Sequence, residues 1–227
     1  MTYFSYVFPV ATVLLQLTLT ALLAKGRLRR YPVLLLYSVT YIAVIVLEGL
    51  ALSEAGVASA LYHKLYWTSD LVLDFLLFLM VITLTHRAVA GNPLLRPFAR
   101  MLFLVVAAAI VLPFILFHPL FQFGWFRHTS QLLSLGAALM NLVLWTAIIG
   151  TRDRDPQLMS VSAGLGVAVT GVAITYGLLQ FTPVNLRWLP DLFKSLTQVG
   201  GMAIWCWAFW PSKREPSPGI GVVPDPS

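Results

Sequence analysis

Residues 62–80 read YHKLYWTSDLVLDFLLFLM. The run has the length and apolar weight of a membrane-crossing helix, yet it carries Asp70 and Asp74 one helical turn apart. Near the centre of such a helix each carboxylate costs about 2.5–3.5 kcal/mol on insertion scales. Acidic groups kept at that depth face a bundle interior or a water-filled cavity, usually with a partner. The chain must therefore supply other apolar helices to enclose this one.

It does. Of the 227 residues, 59% are hydrophobic and 11% charged, against about a quarter charged in a soluble domain. Seven apolar stretches are long enough to cross a bilayer, at 5–24, 32–53, 61–85, 99–117, 129–150, 158–180 and 188–210. They are too long and too continuous for the strands of a membrane barrel. The reading is an all-α, polytopic seven-transmembrane helix bundle over residues 1–210, with a disordered Pro-rich tail over 211–227. The first stretch lacks a preceding basic residue and exceeds a signal h-region, so it is expected to be retained. Pro113 is expected to kink the fourth stretch, and Pro156 to open the sixth. Cys206 is the single cysteine, which excludes an intramolecular disulfide and a thiolate metal cage.

Loop charge sets the expected orientation. Lys25, Arg27, Arg29, Arg30, Arg87, Arg96, Arg100, Arg152, Arg154, Lys213 and Arg214 fall on one side. Lys64, Arg127, Arg187 and Lys194 fall on the other. Eleven against four places the N-terminus outside and the C-terminus in the cytoplasm, in a bacterial inner membrane. The basic excess is explained by this asymmetry and by attraction to anionic headgroups, with no need for nucleic acid. Trp125, Trp188 and Trp210 fall near stretch ends, where amphipathic rings favour the interface.

On a helix, His63, Trp67, Asp70 and Asp74 share one face, with Tyr66 beside it. Leu77 and Phe78 follow on that face, so the polar stripe opens outward and stops near mid-membrane. Other stretches carry companions: Tyr37, Tyr41 and Glu48 on the second; Gln131, Ser134, Asn141 and Trp145 on the fifth; Thr170, Tyr176 and Gln180 on the sixth; Asp191, Lys194 and Gln198 on the seventh. With a rise of ~1.5 Å per residue, Glu48, Asp70 and Lys194 lie at similar depth and Asp74 deeper. Lys194 is the cation expected to pair with Asp70. Acids outnumber bases, so one carboxylate is expected to be neutral, and Asp74 is the deepest. The stripes are compatible with a small-molecule pocket, with internal glue between helices, and with an ion or proton path. The histidines His63, His86, His118 and His128 lie near stretch ends, where solvation at the interface explains them better than metal ligation. Small residues in SVSAGLGVAVTG (160–171), with Ser162 and Gly166 four apart, and the pair Gly200–Gly201 are expected to let helices pack closely.

No HExxH, GxSxG, P-loop or dinucleotide fingerprint is present, so the reading is non-enzymatic. A lysine in a seventh helix invites comparison with microbial rhodopsins. Here, however, Asp191 precedes Lys194 by three positions where those proteins have an acid four before the retinal lysine, and Lys194 lies nearer the outer end. Three segments, RRYPVLLLYSV (29–39), LYHKLYWTSDLVLDFLLF (61–78) and SAGLGVAVTGVAITY (162–176), carry a different likeness. They resemble uncharacterised seven-helix inner-membrane proteins of Acidobacteria and similar soil bacteria, in which a YW pair is followed by an acid, here Tyr66–Trp67 and Asp70. The resemblance implies fold and compartment, with no activity or cofactor. The functional expectation is a ligand-binding, sensory or accessory subunit with an outward-facing polar pocket. Its short cytoplasmic loops would require a partner membrane protein to pass on a signal. A structural or assembly subunit and a proton-coupled transporter are the alternatives, and a retinal protein is disfavoured.

Overall fold

A computed structural model describes residues 4–25, 30–56, 59–90, 123–150, 155–183 and 188–210, with isolated positions between them. The expected fourth stretch (99–117), its Pro113 kink and the tail after Trp210 lie outside the described residues, apart from a few isolated positions in that stretch. Six helices are present among the described residues: α1 (Phe4–Ala24), α2 (Pro32–Ala55), α3 (Ala60–Ala90), α4 (Phe123–Gly150), α5 (Pro156–Phe181) and α6 (Trp188–Phe209). Five of them contain segments long and apolar enough to cross a membrane: Val7–Ala24, Pro32–Glu54, Ala60–Val89, Thr129–Gly150 and Pro156–Phe181. Helix α6 has 22 residues, spans ~33 Å and carries Asp191 and Lys194 in its first half.

The helix boundaries have local causes. Proline opens α2 and α5, where a missing N–H is harmless and the fixed φ suits the first turn. Asp155 caps α5, accepting from the amides of Gln157 and Leu158. Gly56, at φ 73, ends α2 in the left-handed region that a glycine adopts without strain. Helix α3 runs five residues past its expected end, to Ala90, and α4 begins six residues earlier than its apolar run, at Phe123. Each extension carries a basic residue, Arg87 in α3 and Arg127 in α4, at which a count of the apolar run stops although the helix continues.

Neighbours in the ring are α1–α2, α2–α3, α3–α4, α4–α5, α5–α6 and α6–α1, with α3 and α5 also touching across the middle. The interior holds Leu19, Leu34, Tyr37, Met80, Leu144, Leu165 and Trp205, all buried. The outer faces expose Val10, Leu14 and Leu17 on α1, Leu36, Val46 and Leu50 on α2, and Leu135, Leu139 and Leu142 on α4. An apolar belt of this extent would aggregate in water and is at home in lipid. Trp188 at one end of α6 and Trp207 and Trp210 at the other are exposed, as interfacial rings are.

Of the small residues expected to pack closely, Gly201 lies in the tightest helix contact, whereas Gly166 and Gly200 lie outside it. A Cβ on Gly164 would lie 2.6 Å from the Trp205 ring and 2.8 Å from the Gly201 carbonyl oxygen, and one on Gly171 would overlap Thr197. Gly164, Gly171 and Gly201 therefore form the α5–α6 crossing. Gly166 instead faces Asn141 of α4, and Gly200 is nearly open.

Candidate functional site

Four helices deliver five polar side chains to one place. Lys194 Nζ on α6 donates to Asp70 Oδ1 on α3 at 2.9 Å. The Tyr176 hydroxyl of α5 donates to Asp70 Oδ2 at 2.6 Å, and its oxygen lies 2.9 Å from Ser130 Oγ of α4. Ser130 Oγ is in turn hydrogen-bonded to Asp74 Oδ2, one turn below Asp70 on α3. The ammonium of Lys194 also lies over the Tyr176 ring, 5.7 Å from its centroid. The result is a single chain: Lys194, Asp70, Tyr176, Ser130, Asp74.

A hydrogen count limits its protonation. Three oxygen–oxygen contacts need three hydrogens, and the Tyr176 and Ser130 hydroxyls hold one each. Tyr176 spends its hydrogen on Asp70. With Asp74 ionised, Ser130 donates to it; with Asp74 protonated, its hydrogen goes to Ser130 and Ser130 donates to Tyr176. Asp70 faces the Lys194 ammonium and stays ionised. With Asp74 protonated the cluster holds one positive and one negative charge, Lys194 and Asp70, and has no net charge to desolvate.

Burial is graded along the chain. Side chains of Lys194 and Asp70 keep 19% and 16% of their exposure, whereas Asp74 and Ser130 are buried at 5% and 2%. Further along α3 and α4 lie Leu77, Phe78, Met80, Leu133 and Met140, all buried. At the open end an aromatic ladder climbs α3. Tyr62 stacks on Tyr66, and Trp67 meets Tyr66 edge-on.

The remaining expected site residues are placed as follows. Tyr66 and His63 are exposed and Trp67 is half-buried, in the first turns of α3. His63 Nδ1 lies 3.0 Å from the Ser59 carbonyl oxygen in the first turn of α3. Tyr41 and Glu48 are half-buried on α2, and Tyr41 leans on Tyr37, itself edge-on to Trp205. Gln198 is half-buried and Asp191 exposed in the first turn of α6. Asn141 is buried below the cluster, its Oδ1 without a hydrogen-bond partner among the described residues. Thr170 is exposed, because six residues from Thr170 to Tyr176 is not a whole number of turns; Gln180, one turn beyond Tyr176, is exposed near the end of α5. Ser130 is the member that stripe reading passed over. It sits four residues before Ser134, so i, i+4 spacing alone could have placed it on the buried face. Among the described residues no group of three metal-ligating side chains could hold an ion.

Fold and site together define a multi-pass α-helical membrane protein with a charge-paired polar cluster inside one half of its bundle. The chain matches no family model, no curated protein and no solved structure.

Proposed function

We propose that this is a non-enzymatic binding or sensory protein of the bacterial inner membrane, whose seven-helix bundle presents a polar pocket to the outer side. The observation that carries the reading is the graded chain, partly open at Lys194 and Asp70 and buried at Ser130 and Asp74. A molecule entering past His63, Tyr66 and Trp67 would meet an aromatic mouth, then an ion pair it can compete for, then a neutral carboxyl. The apolar layer below favours binding over transport, since no hydrogen-bonded path among the described residues joins Asp74 to Asn141. Any signal would leave through a partner membrane protein.

One observation favours a second reading, an assembly subunit in which the cluster fixes helix register. Each contact within the chain is satisfied from inside it, as structural glue requires. Protein purified from native membrane and analysed by mass spectrometry separates the two. The binding reading expects a copurifying small molecule that is lost in Asp74→Asn while the melting temperature is kept. A stable protein carrying no molecule but a stoichiometric membrane partner supports the assembly subunit instead.

A further inference from the structure

We propose that the shallow groove between α2 and α3, at the end carrying Arg30 and Arg87, holds one anionic phospholipid. Its phosphate would sit between the two guanidinium groups, with an acyl chain along the apolar floor. This site lies at the opposite end of α3 from the polar cluster and does not depend on its function.

The groove is lined by Arg30, Tyr31, Val33, Met80, Leu84 and Arg87, among others. Its floor is rigid, because Leu34, Met80 and Leu84 are core residues exposed by only 1–2%. Its mouth is ordered before any ligand arrives. Both guanidinium groups lie over the buried Tyr31 ring, 5.9 Å away for Arg30 and 5.0 Å for Arg87, and Arg87 donates to the Arg30 carbonyl oxygen. Arg30 is engaged by Asp155 at 2.5 Å. Among the described residues Arg87 has no carboxylate within ion-pair reach, so most of its five donors remain for an anion. No side chain caps the start of α2 beside it, which adds amide donors of favourable sign.

Chemistry selects the occupant. Two guanidinium groups match the oxygens of a phosphodiester. Both groove helices contain membrane spans, so the floor faces acyl chains rather than water. A zwitterionic lipid offers the same phosphate but brings a cationic group against Arg30 and Arg87. Basic pockets between helices at this level are suited to anionic headgroups. Phosphatidylglycerol or cardiolipin fits on both counts.

The test is native mass spectrometry of protein exchanged into micelles holding equal phosphatidylglycerol and phosphatidylcholine. Wild type is expected to retain one phosphatidylglycerol in preference to phosphatidylcholine. Arg87→Gln should lower that retention about fivefold, the effect of one basic group near the surface. Lys64→Gln, ~35 Å away along α3, should leave it unchanged. Thr83→Phe, which narrows the groove without touching its charge, should lower retention too and serves if Arg87→Gln fails to fold. Equal retention of the two lipids by wild type, or full retention in both groove variants, overturns the proposal. Complete displacement of the lipid by millimolar inorganic phosphate also overturns it, since the site would then recognise an anion alone.

Discussion

Asp70 and Lys194 form a half-buried ion pair, and for such pairs the order in which partners are removed matters more than the pair's net worth. Asp70→Asn alone leaves the Lys194 ammonium without a counter-charge and is expected to destabilise by about 3–5 kcal/mol. Asp70→Asn with Lys194→Met removes both charges and should cost less. Thermal melts of the four proteins in the cycle give the coupling energy, and a value near zero would dissolve the pair as an energetic unit. Asp74→Asn should change stability by less than about 1 kcal/mol, because the amide can donate to Ser130 as the protonated carboxyl does. A large loss would mean that Asp74 is ionised and accepts from Ser130. Charge and depth made Asp70 and Lys194 visible in the amino-acid string, since a lone ion in hydrocarbon demands a partner. Ser130 was not visible in this way, because a serine in a membrane helix can satisfy itself on its own backbone and carries no such demand.

Between helices, the α5–α6 crossing depends on missing side chains. Gly164→Ala would place a methyl group 2.8 Å from the Gly201 oxygen, and overpacking of this kind costs about 1–3 kcal/mol. Gly177, on the same helix, has open space where its Cβ would be. Gly177→Ala should therefore stabilise by about 0.5–1 kcal/mol through helix propensity. Melting temperatures that move the same way for both would refute the assigned crossing face. Removing the α5 cap with Asp155→Ala should cost about 1 kcal/mol, with little of it from the exposed Arg30 pair. That α5 packs tightly was legible from its run of small residues. Which small residues touch was not, because a helix that is apolar on every side has no polar face to betray its orientation.

For the whole molecule, connectivity fixes direction. Tyr31, at the start of α2, meets Phe209 at the end of α6, so α1 and α6 run parallel. Asp70, Lys194 and Ser130 lie in the early turns of α3, α6 and α4, and Tyr176 in the last turns of α5. Helices α3 and α4 are thus parallel neighbours that start at the same end of the bundle. With most basic loop residues on the Arg30–Arg87 side, a green fluorescent protein fused after Trp210 should fluoresce and an alkaline phosphatase fusion there should be inactive. The reverse pattern would invert the orientation. The helical, membrane-type fold was legible because hydrocarbon permits so few alternatives. The order of helices around the ring was not, since lipid-facing and core-facing positions are both Leu and Val.

With Asp74 protonated, the hydrogen-bonded chain is also an electric dipole directed along α3 from Asp70 toward Asp74. Reversing its two hydroxyls would carry the proton to Asp70 and the negative charge to Asp74, ~6 Å deeper. Across a ~30 Å hydrocarbon layer, a voltage of ~100 mV biases that move by about 0.5 kcal/mol, a fifth of what a full crossing is worth. Stripping Lys194 of its counter-charge costs several times more. The lysine therefore clamps the dipole in one direction, and a resting potential is too weak to turn it.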